Sequence, residues 1–585
     1  MTKQLAVAIL VAVSALGLGT IAAPGTAAEP PIMPAHAVAV GMTGVGKTVI
    51  IGTAVVPFNV RVLGILHNAG PAGDLVLFRA SGSAIQSVGG IAAGMSGSPI
   101  YLQGRLAGAL SYTFQASDPT VGLFTPIEDM LRVLPASAST GPFATRAFAL
   151  APVRIGGRLV RRVVVPAWGT RAAAAADTLV ATPAATPLFV SGLGGGGLEA
   201  LTNVLAPMGL APVAGGSEAN LPVSLPLEPG SAIGVALLKG DISAYAIGTM
   251  TYRDGNRILA FGHPFAGIGP SSYLLMNATI FQVVRGQQQN IKIGAVGSPV
   301  GIVSQDRPAG IGGTIGVMPR MFGVHVHVTD ADGGGGHDYN FQVIPSTEIA
   351  PVVVPVGSQG AIERALNRNG QGTATVKMTL YGRGLPAPVV RENMFYSPGG
   401  VAARALAELP QAMNLLFDND FKNVGPTGID LDVHVTSAQR TASIVEAVGP
   451  HDPIAPGDTV HVRVTVRPYR AAPETEDVDL TIPANAVAGP ATLVIRGGSS
   501  ALPGGGTAGS APGAQGPGPR TLDDAIKAFE AGDKNTDVVV ELMGGLPVKR
   551  DDAAAPPAKP SARWTTPWVV RGRLQVSIVI KGGPH

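Results

Sequence analysis

The run Gly89-Gly90-Ile91-Ala92-Ala93-Gly94-Met95-Ser96-Gly97-Ser98-Pro99-Ile100 sets a serine on a glycine-flanked turn, directly before residues that alternate like a strand, Ile100 to Leu110. Glycines on both sides let the backbone bend sharply and bring amide N–H groups round to one point. A hydroxyl beside converging amides is what acyl transfer needs, a nucleophile next to an oxyanion hole. A residue able to take the proton, His263, stands between a glycine and a proline at the end of the apolar stretch Leu259-Ala260-Phe261. Taken alone, a G-x-S-G run is more often a glycine hairpin than a nucleophile, so the rest of the chain has to decide.

Three other motifs suggest chemistry and are better explained by structure. Gly41 to Thr48 matches the phosphate-loop pattern G-x-x-x-x-G-K-[ST], but that mechanism needs a helix to begin at the lysine. The following Val49-Ile50-Ile51-Gly52-Thr53 reads as a strand, and no apolar strand ending in aspartate follows to hold magnesium. Gly192 to Gly197 matches G-x-G-x-x-G between a strand (Pro187 to Ser191) and a helix (Leu198 to Met208), with no second half to complete a dinucleotide fold. His325-Val326-His327, with Asp330, Asp332 and His337 nearby, lacks a third metal ligand of secure spacing and reads as a solvated strand and glycine loop.

The elements that must position Ser96 and His263 are mostly strands. The chain has 585 residues, 46% hydrophobic and 14% charged, with Gly 79 and Pro 50, a composition of short strands and many turns rather than long amphipathic helices. Length alone suggests about three or four domains. Net charge is +3 without a basic cluster interleaved with aromatics, which gives nucleic-acid binding little support. With no cysteine, a disulfide framework, a zinc-thiolate site and a cysteine nucleophile are excluded.

Lys3, the apolar span Leu5 to Leu18 and the small residues Gly25 to Ala28 read as an export signal over residues 1–28. The span is nearly long enough to cross a bilayer, so cleavage and retention as an anchor are both open. Further expected segments are a serine half-domain (29–139) ending in a short helix over Pro126 to Leu134, an alanine-rich α/β insert (140–225) and a histidine half-domain (226–320). A mixed β-rich domain (321–440) with a helical stretch over Gly400 to Leu416, a small β-sandwich (441–498), a Gly/Pro/Ser linker (499–520) and a C-terminal region (521–585) complete the chain.

Gly94-Met95-Ser96-Gly97-Ser98-Pro99 has the layout of the nucleophile turn of chymotrypsin-like proteases, in which Ser96 is the nucleophile and the amides of Gly94 and Ser96 form the oxyanion hole. Gly89 to Leu131 resembles the SpoIVB peptidase family, through Gly-Gly-Ile-x-x-Gly-Met-Ser-Gly-Ser-Pro-Ile, the hairpin Gly104 to Ala109, Asp118-Pro119-Thr120, Gly122 and Ile127 to Leu131. Residues 231–316 resemble the other half of that domain through Gly240-Asp241-Ile242, Ala246 to Tyr252, Leu259 to His263 and the glycine-rich Gly310 to Gly316.

The resemblance implies a chymotrypsin-like double β-barrel with Ser96 and His263 as catalytic residues. The histidine half follows the serine half here, reversing the family order as a circular permutation does. The family's catalytic aspartate falls on Ser81, which leaves Asp74, Asp241, Asp254 and Asp306 as carboxylates open to the third role. A PDZ module, usual in the family, is not evident; residues 140–225 stand where one could sit.

The expectation is therefore an exported serine endopeptidase, extracytoplasmic, acting without cofactor, metal or nucleotide on a protein or peptide, either itself or an envelope protein. The N-terminal segment would supply any membrane or envelope association. The rival expectation is an inactive peptidase-like scaffold or binding protein of the envelope, which the missing aspartate favours.

Overall fold

The computed structural model describes residues 31–582 apart from 71, 115–116, 135–145, 167–174, 184–186, 217, 288, 369, 500–518 and 547–559. The expected export signal lies outside the described residues, as does nearly all of the expected linker.

Alternating β-branched and aromatic residues build the first barrel. Strand β2 (Val55–Leu66) follows β1 (Thr43–Val49) and turns Phe58, Val60 and Val62 inward and Arg61 outward, as the two-residue period of a strand requires. Then come β3 (Leu75–Ser81), helix α1 (Ser83–Val88), β4 (Ala92–Ala93), β5 (Pro99–Leu102), β6 (Arg105–Phe114) and β7 (Val121–Pro126). The order β1-β2-β3-β7-β6-β5 closes, because β5 pairs with both β6 and β1. Helix α2 (Ile127–Leu131) follows with Pro126 at its N-cap, a single turn within the expected Pro126 to Leu134 span.

Strands β8 (Arg146–Ile155), β9 (Arg158–Val165) and β10 (Thr178–Pro183) extend this sheet from β6. Strand β11 (Pro187–Ser191), helix α3 (Gly195–Leu205) and β12 (Ala211–Ala214) make one βα unit joined to the second sheet.

The second barrel comprises β13 (Ala232–Gly240), β14 (Ser243–Asp254), β15 (Arg257–Ala260), β16 (Gly269–Val284), β17 (Asn290–Arg307) and β18 (Gly310–Ile315). Its circuit β14-β15-β18-β17-β16-β13 closes through β13 on β14. The chain thus forms the expected mostly-β fold, a double barrel followed by β-rich modules, with the serine barrel first in chain order.

The second sheet continues from β13 into strands between Phe322 and Thr436, packed by helix α4 (Ala350–Leu366). The expected helical stretch near 400–416 divides into Val401–Ala405 and Leu409–Phe417, the latter opened by Pro410 in its first turn. Two four-stranded sheets then make a sandwich, and both draw on residues 441–497 and on 537–580. Its core joins Val462, Val464 and Leu493 to Val538 and Val540. Among the described residues no helix is long and apolar enough to cross a membrane.

Candidate active site

The serine turn is made by one barrel and held by the other. The short β4 lies parallel to β17, with Ala92 opposite Asn290 and Ala93 opposite Ile291. Gly94 and Gly97 then take φ of +88° and +89°, the left-handed region that glycine reaches without a side-chain penalty. Within the turn, Met95 N–H donates to Ala92 O at 3.0 Å and Ser98 N–H to Met95 O at 3.0 Å. Gly97 N–H donates to Leu110 O of β6 at 2.8 Å.

Strand β14 grips the other side: Thr249 N–H donates to Ser96 O (2.9 Å), Thr249 Oγ1 to Gly94 O (3.1 Å) and Thr251 Oγ1 to Gly97 O (2.7 Å). A Cβ on Gly97 would stand 1.9 Å from Thr249 O and 2.5 Å from Phe261 N, so this approach excludes every other residue type. The amides of Gly94 and Ser96, those the sequence suggested as an oxyanion hole, take no part in these turn bonds. Ser96 is 0% exposed and its Oγ has no hydrogen-bond partner.

His263 comes from the second barrel at a sharp bend after β15, where Phe261 and Gly262 both have positive φ, +72° and +69°. Gly262 lies flat on β6: a Cβ there would come within 3.2 Å of Ala109 O and Ser111 Cβ. Thr125 Oγ1 of β7 donates to Gly262 O at 2.7 Å. The serine turn, on Leu110, and the histidine bend, on Ala109 and Ser111, therefore meet adjoining residues of β6 from the two barrels.

The His263 ring is 1% exposed and packs between Tyr112 and Phe261, with centroids at 6.3 and 5.9 Å. Its Nδ1 is 2.6 Å from Pro264 O. A carbonyl oxygen only accepts, so Nδ1 carries the proton and Nε2 presents the lone pair.

The four candidate carboxylates lie apart from one another. Asp74 accepts from His67 Nδ1 (2.9 Å) and Asn68 N–H (2.7 Å). Asp241 accepts from Asn340 N–H at 2.7 Å, and Asp254 pairs with Arg257. Asp306 belongs to the histidine bend: its two oxygens accept from the amides of Phe265, Ala266 and Gly267, each at 2.8 Å, and from Tyr273 Oη at 2.9 Å. Burial pushes its carboxyl pKa up, against the hydrogen bonds that pull it down. Asp306 thus anchors the loop behind His263. Ser81, at the aspartate's place, is exposed at the end of β3 opposite Asn59.

The remaining motifs are strands, loops and caps. Thr43 to Thr48 of the phosphate-loop motif lie in β1 itself, while Val49 to Thr53, expected as a strand, holds only the last residue of β1 and the turn to β2. A Cβ on Gly46 would fall 2.1 Å from the Phe58 ring, and Lys47 Nζ lies over Tyr101 at 5.3 Å. At the start of α3 the Glu363 carboxylate faces the glycines, 2.7 Å from where a Gly194 Cβ would be, so a negative group already occupies that helix end. His325 Nε2 and His327 Nδ1 share Asp338 Oδ1, at 3.0 and 2.8 Å, on an exposed strand face. Among the described residues no group of three or more His, Cys, Asp or Glu has a metal-holding arrangement.

One residue at the site had no sequence signal. Lys292, on β17 just past the pairing with β4, is 1% exposed. Its Cβ and Cδ lie 3.1 and 3.3 Å from where a Gly94 Cβ would stand, and its Nζ donates to the buried Thr48 Oγ1 at 2.9 Å. Burial lowers its pKa to about 7. In the sequence, Ile291-Lys292-Ile293 reads as two inward isoleucines around an outward lysine; the fold exposes Ile293 and buries Lys292.

No curated protein and no solved structure matches the chain. Residues 19–131, the segment that builds the first barrel and carries Ser96, match the SpoIVB peptidase S55 family model, so at the family level the chain is similar to serine peptidases.

Proposed function

We propose that this chain is an exported serine endopeptidase whose centre is Ser96 and His263, working in a permuted double barrel. As Ser96 Oγ attacks a peptide carbonyl, His263 Nε2 takes its proton. The carbonyl π electrons move to oxygen, and the oxyanion is met by the amides of Gly94 and Ser96. The imidazolium then protonates the leaving amine as the C–N bond breaks, and water hydrolyses the acyl-enzyme with the same base. No step needs a metal, a cofactor or a nucleotide.

The observation that supports this reading is that the serine turn and the histidine bend pack on adjoining residues of β6, the turn on Leu110 and the bend on Ala109 and Ser111. The departure from the usual aspartate is met by Pro264 O. Holding Nδ1–H, it keeps the tautomer in which Nε2 is the base, and the wrong tautomer is what costs a triad about four orders of magnitude. A neutral carbonyl stabilises the imidazolium less than a carboxylate does, so a slow peptidase is expected. The substrate class is a protein or peptide of the cell envelope, or this chain itself.

A second reading, an inactive peptidase-like scaffold, is favoured by one observation: Ser96 and His263 are 0% and 1% exposed, which closes both to a peptide in this structure. Fluorophosphonate labelling of the full chain decides between them. The peptidase reading expects labelling at Ser96, abolished in Ser96→Ala and slowed about 10³-fold or more in His263→Ala. A folded wild type that takes no label leaves the scaffold reading standing.

A further inference from the structure

Lysine is among the residues least often buried, because its ammonium loses hydration that only a partner charge or a full set of acceptors can replace. Lys292 has neither. Its amine meets one hydroxyl, Thr48 Oγ1, and desolvation is the only cause acting on its pKa. The groups facing it are Thr48 from β1, Gly94 from the serine turn, Ile247 O from β14 beside Gly94, and Val283 across the ladder on β16. None of these carries a charge.

A methionine or leucine would fill this volume without the desolvation penalty, and replacing a buried charge by an apolar side chain of similar size is often stabilising. The amine is kept where an apolar group would pack better, and that place is the flank of the nucleophile turn. The stem lies beside Gly94, with Cδ 3.3 Å from where a Gly94 Cβ would stand, and Nζ is two bonds beyond that Cδ.

We propose that Lys292 is the counter-charge of the serine turn: its ammonium, tethered by Thr48 behind Gly94, stabilises the negative charge that develops at the Gly94 and Ser96 amides during acyl transfer. It forms no bond and passes no proton in the step. The bond made is Ser96 Oγ to carbon, the proton goes to His263, and Lys292 contributes only its field, which acts strongly in a water-excluded site. As it does not touch the reacting atoms it is a positioning residue.

This proposal rests on the serine-peptidase reading, and the experiment separates the two. Fluorophosphonate labelling rates are measured for the full-length wild type and for Lys292→Met, which keeps the stem and removes the amine, alongside the thermal midpoint of each. The expected result is a midpoint equal to or above wild type with labelling at least about tenfold slower near pH 6, a gap that closes as pH rises through 8 and the wild-type amine loses its proton.

A purely structural lysine leaves the ratio of the two rates constant with pH, whatever happens to the midpoint, and that result overturns the proposal. So does labelling of Lys292→Met at the wild-type rate at every pH. A wild type that takes no label at all overturns the peptidase reading, and the role of Lys292 falls with it.

Discussion

Two of the buried cations, Arg496 and Lys292, are treated in opposite ways. Arg496, in the C-terminal sandwich, is 1% exposed and its Nη2 meets two carboxylates, Asp533 and Glu541. Desolvation pulls its pKa down, but the hydrogen bonds to Glu541 and Asp533 outweigh it and hold the guanidinium above its usual range. Lys292, equally buried, has one hydroxyl and no carboxylate, and its pKa falls to about 7. A paired buried charge is a structural joint: it ties the strand Gly489–Gly497 to Glu541 and to the segment holding Asp533. An unpaired one beside the serine turn is a standing destabilisation, which the proposed chemistry could use.

The largest effect that tests this contrast is on the sandwich. Arg496→Met leaves Asp533 and Glu541 without their shared cation, and urea unfolding followed through Trp564 and Trp568 is expected to show a loss of about 3–5 kcal/mol. A loss below about 1 kcal/mol would mean that Arg496 is no more a joint than Lys292. Ser96 labelling is expected to be unchanged.

The next effect is a pH dependence with a worked sign. The folded pKa of Lys292 is lowered to about 7 from 10.5, so between those values the unfolded chain binds more protons than the folded one. Stability therefore rises with pH across that window, and the penalty is complete below pH 7. Against Lys292→Met, wild type should gain on the order of a few kcal/mol between pH 7 and 10. Parallel stability curves for the two proteins would show that the amine does not titrate in this range.

The smallest effects concern neighbours on β1. Thr48→Val removes the only hydroxyl that meets the Lys292 amine and is expected to lower stability by about 1–2 kcal/mol. Lys47→Ala, one residue away with its amine over the Tyr101 ring, should stay within about 0.5 kcal/mol. Equal losses from the two would dissolve the distinction between the buried and exposed faces of this strand.

These neighbours also show how far the sequence could be read. Gly41 to Thr48 matches a phosphate loop by letters, and the strand-like run that follows argues against it; the strand is the motif itself, β1, and the following run is its last residue and the turn to β2. What could not be read is that Thr48 faces inward to meet a lysine 244 residues away. The Ser96 turn was legible because its glycines answer a local demand, positive φ at Gly94 and Gly97. His263 was legible through its glycine and proline neighbours. The partner behind His263 was not, because a backbone carbonyl has no signature in residue identities, and a search for carboxylates passes over Pro264 O. Asp306 was among the acids considered, yet only the three-dimensional fold assigns it three amides of one loop rather than an imidazole.

By itself, the sequence determined the mostly-β class, the glycine turn that displays Ser96 and the candidate base at His263, because strand alternation, turn chemistry and short motifs are local properties of the chain. Tertiary structure alone decided that β14 clasps the turn, that the histidine bend packs on Ala109 and Ser111 of β6, and that Lys292 is turned inward beside Gly94. Those are contacts between segments more than a hundred residues apart in sequence. Their energies depend on which surfaces the closing of two barrels removes from water, and no local pattern encodes that.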